Sequence, residues 1–267
     1  MFRFHFTLIL AILFVTCTNG QKTNNLRNLI GKTFVSSGLE YLEIINDSTL
    51  YSSINSYTDT ARMFLRSDTL FTKQRYWQTD QTGTNYMEKI YDYKIIALTA
   101  DTIQLKNIYR FKEKPDNWED PLVFISIEKI KEPVGDFKFL KLDCLGPRSG
   151  ARHVIIDGIG KVSFIDKPIL YSINNPGADK DAKPRHITGQ LTRKEFINFK
   201  NLLSRSLPSR LPFKRDCGMD GATSNFEIII GRKRIKSIGC DLSWIHAFLL
   251  NYIYDIDQNK GLVKNTK

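Results

Sequence analysis

Histidine and cysteine are scarce in this chain, four of each in 267 residues. No His-x-x-x-His pair and no Cys-x-x-Cys occurs, so the spacings that set two metal ligands on one helix turn or one tight loop are missing. Gly-x-Ser-x-Gly is absent too, which removes the strand-to-helix serine elbow of the α/β hydrolases. Gly158-Ile159-Gly160 has neither a third glycine nor a following helical pattern, so it is a hairpin turn and not a dinucleotide loop. Cys144 is not the nucleophile of a phosphatase-type loop, because the arginine needed six positions later is Gly150, with Arg148 and Arg152 out of register. Beyond the N-terminus nothing approaches 18 consecutive apolar residues, so no other segment is expected to span a bilayer. No cofactor is expected and no metal.

What is present begins with a targeting segment. Arg3 supplies a positive start, Phe6 to Val15 is an apolar run too short to cross a membrane, and the small residues Thr18 and Gly20 precede a cut before Gln21. Residues 1–20 are therefore read as a signal peptide, and the protein as exported, periplasmic or extracellular. A second reading makes Cys17 a lipidated residue anchoring the chain to the outer membrane, although Phe14-Val15-Thr16 lacks the Leu and the Gly or Ala that precede such a cysteine. Membrane association is expected only by that route. After processing, Cys144, Cys217 and Cys240 remain; an odd number in an oxidising compartment leaves one thiol unpaired, and Cys217 with Cys240, which flank a predicted hairpin, is the favoured disulfide.

The formal charge of +11 is unevenly placed. Residues 21–133 hold 15 Lys+Arg against 15 Asp+Glu, whereas residues 134–267 hold 23 against 13. That asymmetry implies two units with different partners. For an exported chain the anion is not nucleic acid; an anionic envelope component, such as a phosphorylated or acidic glycan, fits better. The same excess also serves plain solubility.

From Gly31 to Lys129 short runs rich in β-branched and aromatic residues follow one another, and three boundaries share an aspartate turn: Asn46-Asp47-Ser48-Thr49, Ser67-Asp68-Thr69 and Ala100-Asp101-Thr102. Successive hairpins of this kind give an all-β up-and-down meander closed into a barrel. The stretch resembles the small lipocalin-like domains of secreted bacterial proteins, with Leu-Ile-Gly-Lys-Thr-Phe opening the first strand and Tyr-Leu-Glu-Ile-Ile-Asn-Asp-Ser-Thr-Leu forming the next hairpin. The resemblance implies a barrel with room for a small apolar ligand. Tyr76, Trp77, Tyr86, Tyr91 and Tyr93 either line such a cavity or fill the interior.

The linker is placed at Lys131 to Gly135, dividing a lipocalin-like β domain, 21–133, from a basic α+β domain, 134–256, with 257–267 as a disordered tail. In the second domain strands Phe137 to Leu142 and Arg152 to Asp157 flank a Gly-, Pro- and Arg-containing loop, and Ile169 to Ile173 is a candidate strand. Thr192-Arg193-Lys194-Glu195 is a capping box, opening a helix whose Phe196, Phe199 and Leu203 fall on one face. A hairpin, Phe226 to Ile230 and Arg234 to Ile238, precedes a last helix carrying Leu242, Ile245, Leu249, Tyr252 and Ile253 on one stripe. The expectation is an antiparallel sheet with two helices on one face. Residues 137–254 resemble a family of uncharacterised secreted or lipid-anchored bacterial domains, through Cys144-Leu145-Gly146, Ile156-Asp157-Gly158-Ile159-Gly160-Lys161-Val162-Ser163-Phe164 and Gly189-Gln190-Leu191-Thr192-Arg193-Lys194-Glu195-Phe196. The family's Cys-Phe-Gly-x-Cys-Pro is broken here by Arg148 and Ser149, so the resemblance implies a Cys144 that is free or bonded elsewhere.

The leading functional expectation is a non-enzymatic binding module of the cell envelope, with Arg148, Arg152, His153, Arg232, Lys233 and Arg234 forming an anionic binding face. Charges at hairpin tips also serve to keep sheet edges from pairing. The alternatives are a carrier of a small apolar ligand and an envelope hydrolase using the Cys144–His153 loop. His246, on the last helix, is expected to be packed or at the surface rather than a metal ligand.

Overall fold

The computed structural model describes residues 27–53, 59–80, 83–108, 121–146, 150–167, 183–212, 223–239 and 242–265. The segment 1–20 expected to be a signal peptide, Cys17, Arg148, Cys217, Cys240 and the candidate strand 169–173 lie outside them. No helix among the described residues is long and apolar enough to cross a membrane. The chain divides into two compact units, residues 1–130 and 131–267.

The first unit is a closed antiparallel barrel of eight strands in chain order: β1 (Thr33–Ser36), β2 (Tyr41–Asn46), β3 (Thr49–Ser52), β4 (Asp59–Arg66), β5 (Thr69–Asp80), β6 (Gly83–Leu98), β7 (Thr102–Asn107) and β8 (Leu122–Ser126). Closure comes from β1 pairing with β8, Phe34 opposite Ser126. Period-two patterning puts Leu42, Ile44, Leu50, Leu70, Tyr93, Ile95, Ile103, Leu105 and Phe124 in one buried cluster with Phe34, and eight strands leave an interior of about the width that side chains can fill. Leu29, on the turn before β1, closes on the same cluster at 1 % exposure. Of the five aromatics set aside for a cavity, Tyr93 is buried in this cluster and Tyr91 packs against it; the side chains of Tyr76, Trp77 and Tyr86 lie outside the described residues.

Two local expectations need correction. The turn after β2 is closed by Asn46, whose Oδ1 accepts from the Ser48 amide at 2.9 Å, and the turn after β6 by Thr99, whose Oγ1 accepts from the Asp101 amide at 3.3 Å. The aspartates themselves face outward to Arg27, Lys94 and Lys129. The strand expected through Lys129 stops at Ser126, and Ile127–Ile130 forms one helical turn, α1, with Ile127 buried.

The second unit is a seven-stranded antiparallel sheet in the order β14-β13-β9-β10-β11-β12-β15. Its strands are β9 (Phe137–Gly146), β10 (Gly150–Asp157), β11 (Lys161–Lys167), β12 (Arg185–Leu191), β13 (Thr223–Ile230), β14 (Lys233–Gly239) and β15 (Leu262–Lys264). Helices α2 (Arg193–Arg205) and α3 (Trp244–Tyr254) bury Phe199, Leu203, Leu249 and Ile253 against Leu140, Leu142, Val154, Ile156 and Phe164. At the turn after β10 the aspartate does act as expected: Asp157 Oδ1 accepts from the Ile159 and Lys161 amides at 3.0 and 2.8 Å.

The capping box is half made. Thr192 Oγ1 accepts from the Glu195 amide at 3.3 Å, but the Thr192 amide donates to the Gly261 carbonyl at 2.8 Å. The Glu195 carboxylate instead accepts from Tyr252 Oη at 2.9 Å and Asn259 Nδ2 at 2.8 Å. The replacing partners Gly261 and Asn259 belong to the segment expected to be a disordered tail. Residues 256–258 form a 3₁₀ turn and β15 pairs with β12, Leu262 opposite Leu191. Leu262 is 6 % and Asp257 4 % exposed, so two buried side chains and the ladder order a stretch whose composition reads as polar coil.

Candidate functional site

The site proposed from sequence centres on β9 and β10, where Cys144 stands opposite Arg152 and Asp143 opposite His153. Opposed residues share a face of the sheet and successive residues alternate. Cys144 and Arg152 therefore point to the helix-covered face, with Ser224 next in register; Asp143 and His153 point to the other. Cys144 and His153 do not meet, and the thiol–imidazole couple of the hydrolase alternative is not formed. Cys144 is half-buried, its Sγ 3.3 Å from Ser224 Oγ. Burial pushes the thiol up, against the opposing influence of Ser224 and of Arg152, so it is a poor nucleophile.

Arg152 is committed to the fold. Its Nε donates to Asp166 Oδ1 at 3.2 Å, its Nη1 donates to the Tyr254 carbonyl at 3.0 Å, and its guanidinium lies 3.7 Å from the Tyr254 ring centroid. Asp166 also pairs with Arg185 at 3.4 Å, and Arg185 donates to Asp257 Oδ2 at 2.7 Å. Asp257 is 4 % exposed. This chain of charges ties β10, β11 and β12 to the last turn of α3, where a cation meets the carbonyl end of the helix. An external anion would have to displace carboxylates already in place.

On the opposite face, Asp143 takes Lys141 Nζ at 2.7 Å and His153 Nδ1 at 2.7 Å. Partial burial alone would raise the Asp143 carboxyl, but the hydrogen bonds from Lys141 and His153 outweigh it and hold it below its ordinary value. The hydrogen bond to Asp143 in turn raises Lys141. Asp143 thus fixes the imidazole, whose Nε2 has no hydrogen-bonded partner among the described residues. Among the described residues no three His, Cys, Asp or Glu side chains converge on a metal position.

The remaining basic residues stand elsewhere. Arg232 and Lys233, at the β13–β14 turn, are exposed and without an ion-pair or hydrogen-bonded partner among the described residues, whereas Arg234 is held by Glu227, its Nε donating at 2.7 Å. From Asn225, in register with Asp143, to Ile230 at the tip is five residues, about 17 Å of strand. The expected single face of Arg152, His153, Arg232, Lys233 and Arg234 is therefore not assembled: one member lies under the helices, one is across the sheet from it, and the rest are at a distant tip.

Of the two places expected for His246, packed or at the surface, the structure shows the first, and one feature of the barrel was not read from the sequence. His246 is fully buried, its Nδ1 2.9 Å from Ser243 Oγ. Among the described residues its Nε2 is buried without a hydrogen-bonded partner, although the nearby carbonyls of Leu207 and Ser206 favour the charged ring. A buried helical histidine leaves no mark in sequence beyond the apolar stripe around it. On the barrel, Arg62, Phe64 and Arg66 alternate along β4 as Thr69, Phe71 and Lys73 do along β5, a pattern that period-two reading exposes but a search for runs of charge passes over.

No protein-family model, no curated protein and no solved structure matches the chain.

Proposed function

We propose that the protein is an exported binding module of the cell envelope that works by docking, its cationic second unit taking an anionic envelope component. The observation that carries the reading is the β13–β14 tip, where Arg232 and Lys233 are exposed and unpaired among the described residues in a segment holding 23 Lys+Arg against 13 Asp+Glu. Unpaired cations at the end of a rigid hairpin meet an anion with little reorganisation and without displacing internal partners. Docking is favoured over turnover because Cys144 and His153 face opposite sides of the sheet and Arg152 is occupied. The first unit is read as lipocalin-like on its up-and-down closure. Carriage of a small apolar ligand is not favoured, since Phe34, Leu105, Phe124 and Tyr93 occupy the described interior.

The test is retention of the full chain on a heparin resin. R232Q/K233Q is expected to elute at lower salt, with the slope of log affinity against log salt reduced by about two, one for each lost contact to a sulphate. Elution indistinguishable from the parent protein, or no retention of the parent at low salt, contradicts the reading.

A further inference from the structure

The outer wall of the barrel carries a second surface of different chemistry. Arg62 stands opposite Lys73, Phe64 opposite Phe71 and Arg66 opposite Thr69, so all six side chains lie on the outward face. The two phenyl rings stack at 4.7 Å with an interplanar angle of 3°, and Phe64 is 50 % exposed. Beside them Ile96 and Ile108 are 42 % and 40 % exposed. Lys94 and Lys106, mutually in register on β6 and β7, continue the cationic margin. Among the residues whose side chains are described, two acids belong to this wall: Asp92, 7 % exposed, and Asp68, paired with Lys94 at 3.6 Å. Arg62 and Arg66 are exposed and have no partner among the described residues.

We propose that the β4–β7 wall docks on an anionic lipid surface, Phe64 and Phe71 entering the headgroup layer while Arg62 and Arg66 contact the phosphates. An exposed phenyl ring stacked on a half-buried one, on a paired, non-edge stretch of sheet, is a surface waiting for an apolar partner, and a cationic margin selects an apolar partner with an anionic boundary, which is what a charged leaflet offers. A second copy of the chain is disfavoured, because joining two such walls sets like charges against each other. An acidic glycan offers nothing apolar to the rings. A single-stranded nucleic acid would need free ring faces, and these rings already cover one face of each other. This surface is separate from the hairpin tip and adds to the docking reading without depending on it.

Flotation of the full chain with vesicles of phosphatidylglycerol in phosphatidylcholine, against phosphatidylcholine alone, tests the assignment. The apolar run at Phe6 to Val15 is common to every arm, so the readout is the ratio between vesicle types and between variants. Binding is expected to favour the anionic vesicles, to fall about thirtyfold in R62Q/R66Q at about fivefold per cation, and to fall about tenfold in F64S even in salt that elutes the protein from heparin, since apolar insertion is not screened. These outward changes leave the core intact, which unchanged thermal unfolding verifies. Equal binding to the two vesicle types, or variants that bind anionic vesicles as the parent does, overturns it, as does retention on a single-stranded oligonucleotide or heparin without flotation. The last result leaves the hairpin-tip reading standing; loss of heparin retention alone removes that reading and leaves this one.

Discussion

Taking the protein from pH 7 to pH 4 is expected to remove about 3 kcal/mol from the folding stability of the second unit, most of it through one residue. His246 is 0 % exposed, and burial lowers its pKa from 6.5 to about 4, against the favourable carbonyls of Leu207 and Ser206 and the charge of Glu132. The unfolded chain therefore binds a proton over this window that the folded chain refuses. Stability is full above pH 6.5, falls as pH drops towards 4, and levels off below. The depressed carboxyls of Asp143 and Glu195 contribute in a lower window, their share being lost as pH falls through their folded values. Urea titrations across this range, read by amide hydrogen exchange in α3, measure the slope. His246→Phe keeps the ring, frees Ser243 to cap the helix and should flatten the dependence between pH 4 and 6.5. A slope unchanged in that variant would place the titrating group elsewhere.

Arg152→Ala is the second large effect, and it separates a structural arginine from a binding one. The side chains of Arg152 and Asp166 are 19 % and 22 % exposed, so removing the guanidinium leaves a largely buried carboxylate with Arg185 as its one cation among the described residues, at 3.4 Å, and uncaps the Tyr254 carbonyl. Breaking a fully buried pair in this way costs about 3–5 kcal/mol, and the residual solvent contact here reduces the expectation to about 2–3 kcal/mol. The urea midpoint should fall with an unchanged denaturant slope, while salt-dependent elution from heparin moves no more than the loss of one distant charge requires. A variant of parental stability that has lost anion binding would return Arg152 to the binding surface.

The sequence yielded the barrel because each strand there alternates apolar and polar residues between turn signals, and closure follows from eight such strands in succession. It yielded α2 because Thr192 and the Phe196, Phe199, Leu203 spacing are local. What it did not yield depends on contacts between distant segments. β12 is polar along most of its length, and β15 has three residues, so neither carries a periodic signal; both exist because Leu191 and Leu262 meet. The half-made capping box has the same origin, Gly261 and Asn259 having taken the two partners that Thr192 and Glu195 offered each other. The basic face failed for a simpler reason. Arg152 and His153 are adjacent in sequence, and in a pleated strand adjacency places side chains on opposite faces.

We propose that the second unit meets its anionic partner at the β13–β14 tip. Lysine acetylation footprinting of the whole protein, with and without heparin, addresses it residue by residue. Strong protection is expected of Lys233, and of Lys236, which is also exposed farther along β14, with little of Lys94 and Lys106 on the barrel. Protection spread evenly over all exposed lysines, or concentrated on the barrel, would contradict it.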